Sequence, residues 1–383
     1  MRQKNYIGLL MAMYALVFMG DAQSSYLPLY LGSLGLDNAK IGAVLAAAPL
    51  IALCVQPLWG IIGDSASSKN VVVALMLVGS AVSYALIPLS HAILPLILFW
   101  IVVFYFFKSS LRGVMDSVTL EYLDTEKAPY GPIRLSGTVG YALMAMVMGW
   151  AAKRDMNAIF WLFCIPTLVG AFLMLKVPVV KGHYTKGSLK KIKPLLRQSD
   201  FIILMALVFV FNAVQGFYGV FYPVYYVKEL GGEMGFLGII LGASAFAEIP
   251  FLIKSDALIH RFGEKNLLFS ACFVASARWV LTSVVTDTRM QFFVQLLHGW
   301  NSIVFMVCVT LFINRIFPLE FKTSGQTFSM FVSQLASYII GSLVGGVLCL
   351  RFSMQKLFLM NGVLLFAITL VLTFFGHKTR SKT

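Results

Sequence analysis

Stretches of about twenty apolar residues recur from one end of this chain to the other, and at 1.5 Å per residue each is long enough to cross a ~30 Å hydrocarbon layer as a helix. Twelve can be placed, near positions 6–31, 39–62, 71–89, 93–118, 135–155, 158–175, 201–227, 234–259, 267–285, 292–317, 324–349 and 357–376. A membrane-spanning barrel would instead show short segments of alternating polarity. The first stretch follows Arg2 and Lys4 as the core of a signal peptide does, but its length and the Gly20-Asp21 step in its middle predict a retained helix. Only 12% of the residues are charged, about half the share of a soluble domain. The expected fold is an all-α membrane protein of twelve transmembrane helices.

The formal net charge of +14 would suit a nucleic-acid binder, but its distribution does not. Most Lys and Arg lie on one side of the predicted membrane, which places that side and both termini in the cytoplasm. The densest group is Lys176, Lys181, Lys186, Lys190, Lys191, Lys193 and Arg197. A basic segment so placed would rest on anionic lipid headgroups. Five cysteines, at 54, 164, 272, 308 and 349, fall inside apolar stretches without metal-ligand spacing and read as small packing residues. No metal, cofactor, nucleic-acid partner or disulfide is expected.

The same basic segment divides the chain: an N-terminal six-helix bundle at 1–177, a linker at 178–199, a C-terminal bundle at 200–376 and a tail at 377–383. The halves repeat one another. Tyr26-Leu27-Pro28-Leu29-Tyr30 has its counterpart in Phe221-Tyr222-Pro223-Val224-Tyr225, and Lys69-Asn70 in Lys265-Asn266, at separations that agree to one residue. Parallel repeats around a central cavity characterise a large class of transporters.

Charged residues inside apolar stretches are the chain's most specific feature: Asp21, Lys108, Arg112, Asp116, Arg134, Glu248 and Arg278, with His298 as a further titratable group. Each would cost roughly 2.5–3.5 kcal/mol at the bilayer centre if it faced lipid. They must face each other or water, and a transport pathway is the first reading of such a set. Lys108, Arg112 and Asp116 are spaced by four and share one helix face.

Two segments carry a family resemblance. Gly60-Ile61-Ile62-Gly63-Asp64 through Lys69 resembles the loop between helices 2 and 3 in the major facilitator superfamily, where Gly60 would let helices approach and Asp64 with Lys69 would latch a gate. Pro132-Ile133-Arg134-Leu135-Ser136-Gly137-Thr138-Val139-Gly140-Tyr141 resembles the start of helix 5 in that superfamily's lactose permease and phenylpropionate permease branch. Over nearly the whole chain, the resemblance implies two six-helix bundles around a cavity. It also implies that Arg134, partnered by Asp116, binds substrate, that Tyr141 stands where a Trp stacks on sugar, and that Arg278 and His298 serve proton release and substrate binding. Three positions depart from the pattern. Asn301 stands where the branch has its proton-carrying Glu, Gln295 where it has a Lys, and Ala245 where it has a Glu, with Glu248 one turn beyond in Glu248-Ile249-Pro250.

The expected function is proton-coupled uptake of a small polar solute by alternating access, through a monomer in the cytoplasmic membrane. Asp116, Arg134, Arg112, Tyr141, His298 and Asn301 are the candidate substrate contacts, and Glu248, Arg278 and Asp21 the candidate proton-coupling groups. A sugar would be held by Arg134, Asp116 and Tyr141; an aromatic carboxylate by Arg112, Arg134 and Lys108. Both remain open, as does a proton-coupled exporter. For His298 the bland reading is a satisfied core residue, and for Asp21 a bond to helix backbone or to Ser24 and Ser25. No phosphate-binding loop, metal cluster or nucleophile elbow points to an enzyme.

Overall fold

In a computed structural model, which describes residues 5–90, 93–180, 198–317 and 322–378, apolar helices account for the expected spans. They are α1 (Tyr6–Ser33), α2 (Asn38–Ser65), α3 (Lys69–Ser90), α4 (Leu94–Asp124), α5 (Gly131–Arg154), α6 (Ala158–Met174), α7 (Asp200–Glu229), α8 (Met234–Ile253), α9 (Glu264–Val284), α10 (Met290–Ile316), α11 (Phe328–Leu348) and α12 (Met354–Thr373). α6 is the shortest at 17 residues, or about 26 Å of rise. Most of the basic linker, including Lys181 to Arg197, and the last residues of the tail lie outside the described residues.

Local chemistry sets the helix ends. Asp37 opens α2, its carboxylate accepting from the Lys40 backbone N–H at 2.8 Å, and that bond holds the carboxyl below its ordinary range. Ser68 does the same for α3 through the Val71 N–H. The outer surface is inverted relative to a soluble protein: Ile165, Phe172, Phe293 and Val363 are each more than half exposed, as lipid-facing side chains are. Arg154 lies over the Trp150 ring at 4.0 Å, an amphipathic pair suited to a membrane interface.

The chain forms two compact units: residues 1–35, 46–186 and 233–242, and residues 36–45, 187–232 and 243–383. In the first unit α1 packs on α5 and α6, and α3 on α4 and α6. In the second α7 packs on α11 and α12, and α9 on α10 and α12. The two packing plans are the same once six is added to each helix number, as the internal sequence repeat predicts.

Close approach in the first unit requires glycine. A Cβ on Gly140 of α5 would sit 2.2 Å from the Ala15 carbonyl oxygen of α1, so the backbones touch. Gly140→Val is expected to destabilise the protein by about 1–3 kcal/mol or more, the cost of overpacking where backbone must yield. A fall in the melting temperature of detergent-purified protein would show it, and an unchanged melt would contradict the assigned contact. Gly60 differs. A Cβ there would meet nothing within 4 Å, so no neighbour demands the glycine that helix approach was expected to require.

Among the described residues, α1, α4, α8 and α10 are each interrupted inside an apolar stretch. α1 passes from α-helix to a 3-10 turn after Asp21, α4 breaks at Ser109 and Ser110, α8 at Ala247 and Glu248, and α10 at Leu297. Irregular backbone inside a bilayer survives only where protein covers it or water reaches it. Asp21, Lys108, Arg112, Glu248 and His298 all lie at or within two residues of these breaks.

Candidate functional site

The charged residues assemble into one cluster in each unit. In the first, Asp21 accepts from Lys108 Nζ at 2.6 Å and from Arg112 Nη2 at 2.8 Å. The break at Ser109 and Ser110 lies between these two cations, so both reach one carboxylate. Ser24 donates instead to the Asp21 backbone carbonyl, so the bland reading of Asp21 is not what its side chain does. The Arg112 and Arg134 guanidiniums each lie 4.6 Å from the Phe18 ring centroid, making that phenyl a shared cation–π platform.

Asp116 takes hydrogen bonds from two tyrosines, Tyr14 at 2.5 Å and Tyr130 at 2.9 Å. The expected partner was Arg134. The tyrosines reach Asp116 because α1 lies against α4 and α5 there, a proximity that helical spacing within α4 could not reveal. Tyr130, between α4 and α5, has its hydroxyl pushed up to about 12, chiefly by burial and then by the Asp116 charge. Tyr141 faces Ser25 at 3.5 Å.

In the gate motif Lys69 meets two acids, Asp64 and Glu121. Lys69 is almost fully buried and pairs with Glu121 of α4, and it donates to Ser117 at 3.2 Å. Asp64 stands farther off, at 3.8 Å. Glu121 and Ser117 were not singled out in the sequence, although their spacing of four on one α4 face was visible.

In the second unit Arg278 is fully buried, its guanidinium over Tyr218 at 4.2 Å and Trp279 at 4.6 Å. Its Nε donates to Gln295 Oε1 at 2.9 Å. The Gln295 amide in turn donates to Thr282 Oγ1 and Gln291 Oε1, both at 3.1 Å. This amide ladder orients Arg278, and it gives Gln295 a structural reason that its departure from a Lys had left open.

Arg278 Nη1 lies 2.9 Å from His298 Nδ1. A guanidinium has no acceptor, so Nδ1 must accept, the imidazole is neutral, and its proton sits on Nε2. That nitrogen lies 3.4 Å from Glu248 Oε1. Arg278, His298 and Glu248 therefore form a run of polar contacts, the first pair hydrogen-bonded at 2.9 Å and the second 3.4 Å apart. His298 is not a residue idle on an apolar face. Gly299 makes the run possible: a Cβ there would lie 2.1 Å from the Ala247 carbonyl oxygen, so only glycine lets α10 bring His298 beside Glu248.

Some buried polar atoms here have no hydrogen-bond partner among the described residues: both amide atoms of Asn301, Arg278 Nη2 and the Tyr222 hydroxyl. Leaving such an atom unpaired costs about 1–3 kcal/mol. Asn301 and Arg278 are fully buried. Among the described residues no group of three or more His, Cys, Asp or Glu could hold a metal ion.

Known proteins place these clusters in context. The chain is 24% identical over 356 residues to maltose permease of Geobacillus stearothermophilus, covering 90% of this chain and 88% of that protein. It is 22% identical to lactose permease of Klebsiella oxytoca, covering 94% and 92%. A mutant of the nucleoside transporter NupG has the same fold at a TM-score of 0.85 and 15% identity, covering 95% and 98%. These relatives are transporters, and so is this multi-pass membrane protein; it is not an enzyme. The model of the MFS_1 like family matches residues 6–360, and the chain belongs to that family within the major facilitator superfamily.

Proposed function

We propose that the protein is a secondary active transporter that takes up a small polar solute together with a proton by alternating access, as a monomer in the cytoplasmic membrane with both termini in the cytoplasm. The observation that carries this reading is the Glu248, His298 and Arg278 set, in which Arg278 Nη1 hydrogen-bonds His298 Nδ1 at 2.9 Å and His298 Nε2 lies 3.4 Å from Glu248, inside membrane-spanning helices. A carboxylate that meets a neutral imidazole in one state and loses it in another changes its proton affinity between them, and can bind and release one proton per cycle. Glu248, one turn beyond Ala245, then carries the proton, and no acid is needed at Asn301.

The solute end is the first unit's cluster, with Arg134 and Arg112 on Phe18, Asp116 between its tyrosines, and Tyr141. The relatives named for maltose, lactose and nucleosides favour a hydroxyl-bearing solute. Proteoliposome uptake of a panel of sugars, nucleosides and aromatic acids, with and without an inward proton gradient, tests the reading. Accumulation of one class that collapses when the gradient is dissipated is expected, and gradient-independent uptake would remove the proton from the cycle. Arg134→Gln should reduce that uptake to background with membrane insertion intact. Retained uptake would take Arg134 out of the binding site.

A further inference from the structure

One stripe of α1 meets every other charged residue of the first unit's cluster. Tyr14, Phe18, Asp21 and Ser25 follow one another at spacings of four, three and four, so they share a helix face. Tyr14 donates to Asp116 at 2.5 Å, and Asp21 accepts from Lys108 and Arg112. On α5, Tyr130, Arg134, Gly137 and Tyr141 repeat the same spacings. Each stands 116 residues after its partner on α1, and the stripes meet in that register. Tyr14 faces Tyr130 at a ring separation of 6.1 Å, Phe18 faces Arg134 at 4.6 Å, and Ser25 Oγ lies 3.5 Å from the Tyr141 hydroxyl.

Phe18 is the apolar layer of this stack, between the layer that holds Asp116 and the layer that holds Lys108. Two guanidiniums, Arg112 from α4 and Arg134 from α5, each lie 4.6 Å from its ring centroid. The ring is pinned. A Cβ on Gly137 would stand 2.9 Å from its Cγ and within 3.2 Å of both Cδ atoms, so its near end rests against α5. Tyr14 stacks beside it at 16°, and only 4% of Phe18 is exposed. An aliphatic side chain would fill the same space, but it has no negative ring face to attract a cation, an attraction that grows when the pair is desolvated. The second unit uses the same device on α7, the repeat counterpart of α1, where the Tyr218 ring carries Arg278 at 4.2 Å.

We propose that Phe18 is a positioning residue of the solute end. Its ring electrons fix where Arg112 and Arg134 present their N–H groups, and so set how tightly a solute is held. The proposal rests on the transport reading above and applies to whichever solute class is carried.

The full-length protein is prepared with phenylalanine, 4-fluoro-, 3,5-difluoro- or 3,4,5-trifluorophenylalanine at position 18. Fluorines draw electron density from the ring face with little change of shape, and these sit toward the end of the ring away from Gly137. Uptake of maltose, uridine and benzoate into proteoliposomes is measured over a range of concentrations under an inward proton gradient. For any probe taken up, the KM is expected to rise with fluorine number, by about fivefold or more at three fluorines. The maximal rate should stay within about twofold, as loss of uniform binding requires. Phe18→Leu should raise the KM at least as far as the trifluoro ring. A residue that only fills space would leave the series flat. In parallel, phenylglyoxal modification of Arg112 and Arg134, followed by peptide mass spectrometry, should quicken with fluorine number. Unchanged modification rates would overturn the proposal whatever is transported. A flat KM series with uptake intact removes the role of Phe18 and leaves transport. Modification rates that follow the series with no probe taken up support the platform and remove the transport reading.

Discussion

Glu248→Gln is expected to abolish uphill accumulation of solute while leaving exchange between equal concentrations at a rate near that of the wild type. The reason is geometric. Glutamine keeps the shape of the side chain and an oxygen that can accept from His298 Nε2, which lies 3.4 Å from the carboxylate, so the packing that Gly299 allows is preserved. It cannot take up a proton. A carrier that binds solute without binding the driving ion only equilibrates it, so the accumulation ratio falls to unity while counterflow persists. Radiolabelled uptake under an imposed pH gradient, paired with counterflow in the same vesicles, checks both halves. Unchanged uphill accumulation would transfer the proton to Asp116 or Asp21.

Arg278 gives the second large effect. Its guanidinium serves the Gln295 carbonyl oxygen and the His298 Nδ1 at once, in fixed directions and fully buried. Arg278→Ala leaves both acceptors without a donor, at about 1–3 kcal/mol each. A drop in melting temperature together with uptake at background is the expected result. Arg278→Lys is the sharper variant, since an ammonium keeps the charge but lacks the planar fork that reaches two acceptors. Stability is expected to return in part and transport not at all. If Arg278→Lys transports like wild type, the direction of the hydrogen bonds is irrelevant and only the charge matters.

The helical membrane architecture and the family were legible in the sequence because both follow from local quantities. Apolar length decides what crosses a bilayer, and the Gly60 to Lys69 and Pro132 to Tyr141 segments carry their residues at short, fixed spacing. The identity of the charged residues was legible for the same reason: a charge in an apolar run is conspicuous wherever it points. Partners were not. The sequence pattern paired Asp116 with Arg134 and Asp64 with Lys69; Asp116 is held by Tyr14 and Tyr130, and Lys69 meets Glu121 of α4 as well as Asp64. Tyrosines are common in membrane helices, and nothing local marks the two that meet a carboxylate.

The breaks show where the division lies. Pro250 announces an interruption after Glu248, but no proline marks those at Asp21, at Ser109 and Ser110, or at Leu297. Side chains pair backbone carbonyls at two of them, Ser24 at Asp21 and Gln56 at Ser109. By itself the sequence determined that this chain spans a membrane in two repeated halves and carries ionisable groups inside it, because hydrophobic length and charge are properties of single segments. Only the tertiary structure decided which acid meets which base, because a hydrogen bond depends on ångström-scale distances between helices far apart in the chain, and those distances are set by contacts such as Gly140 on Ala15 and Gly299 on Ala247.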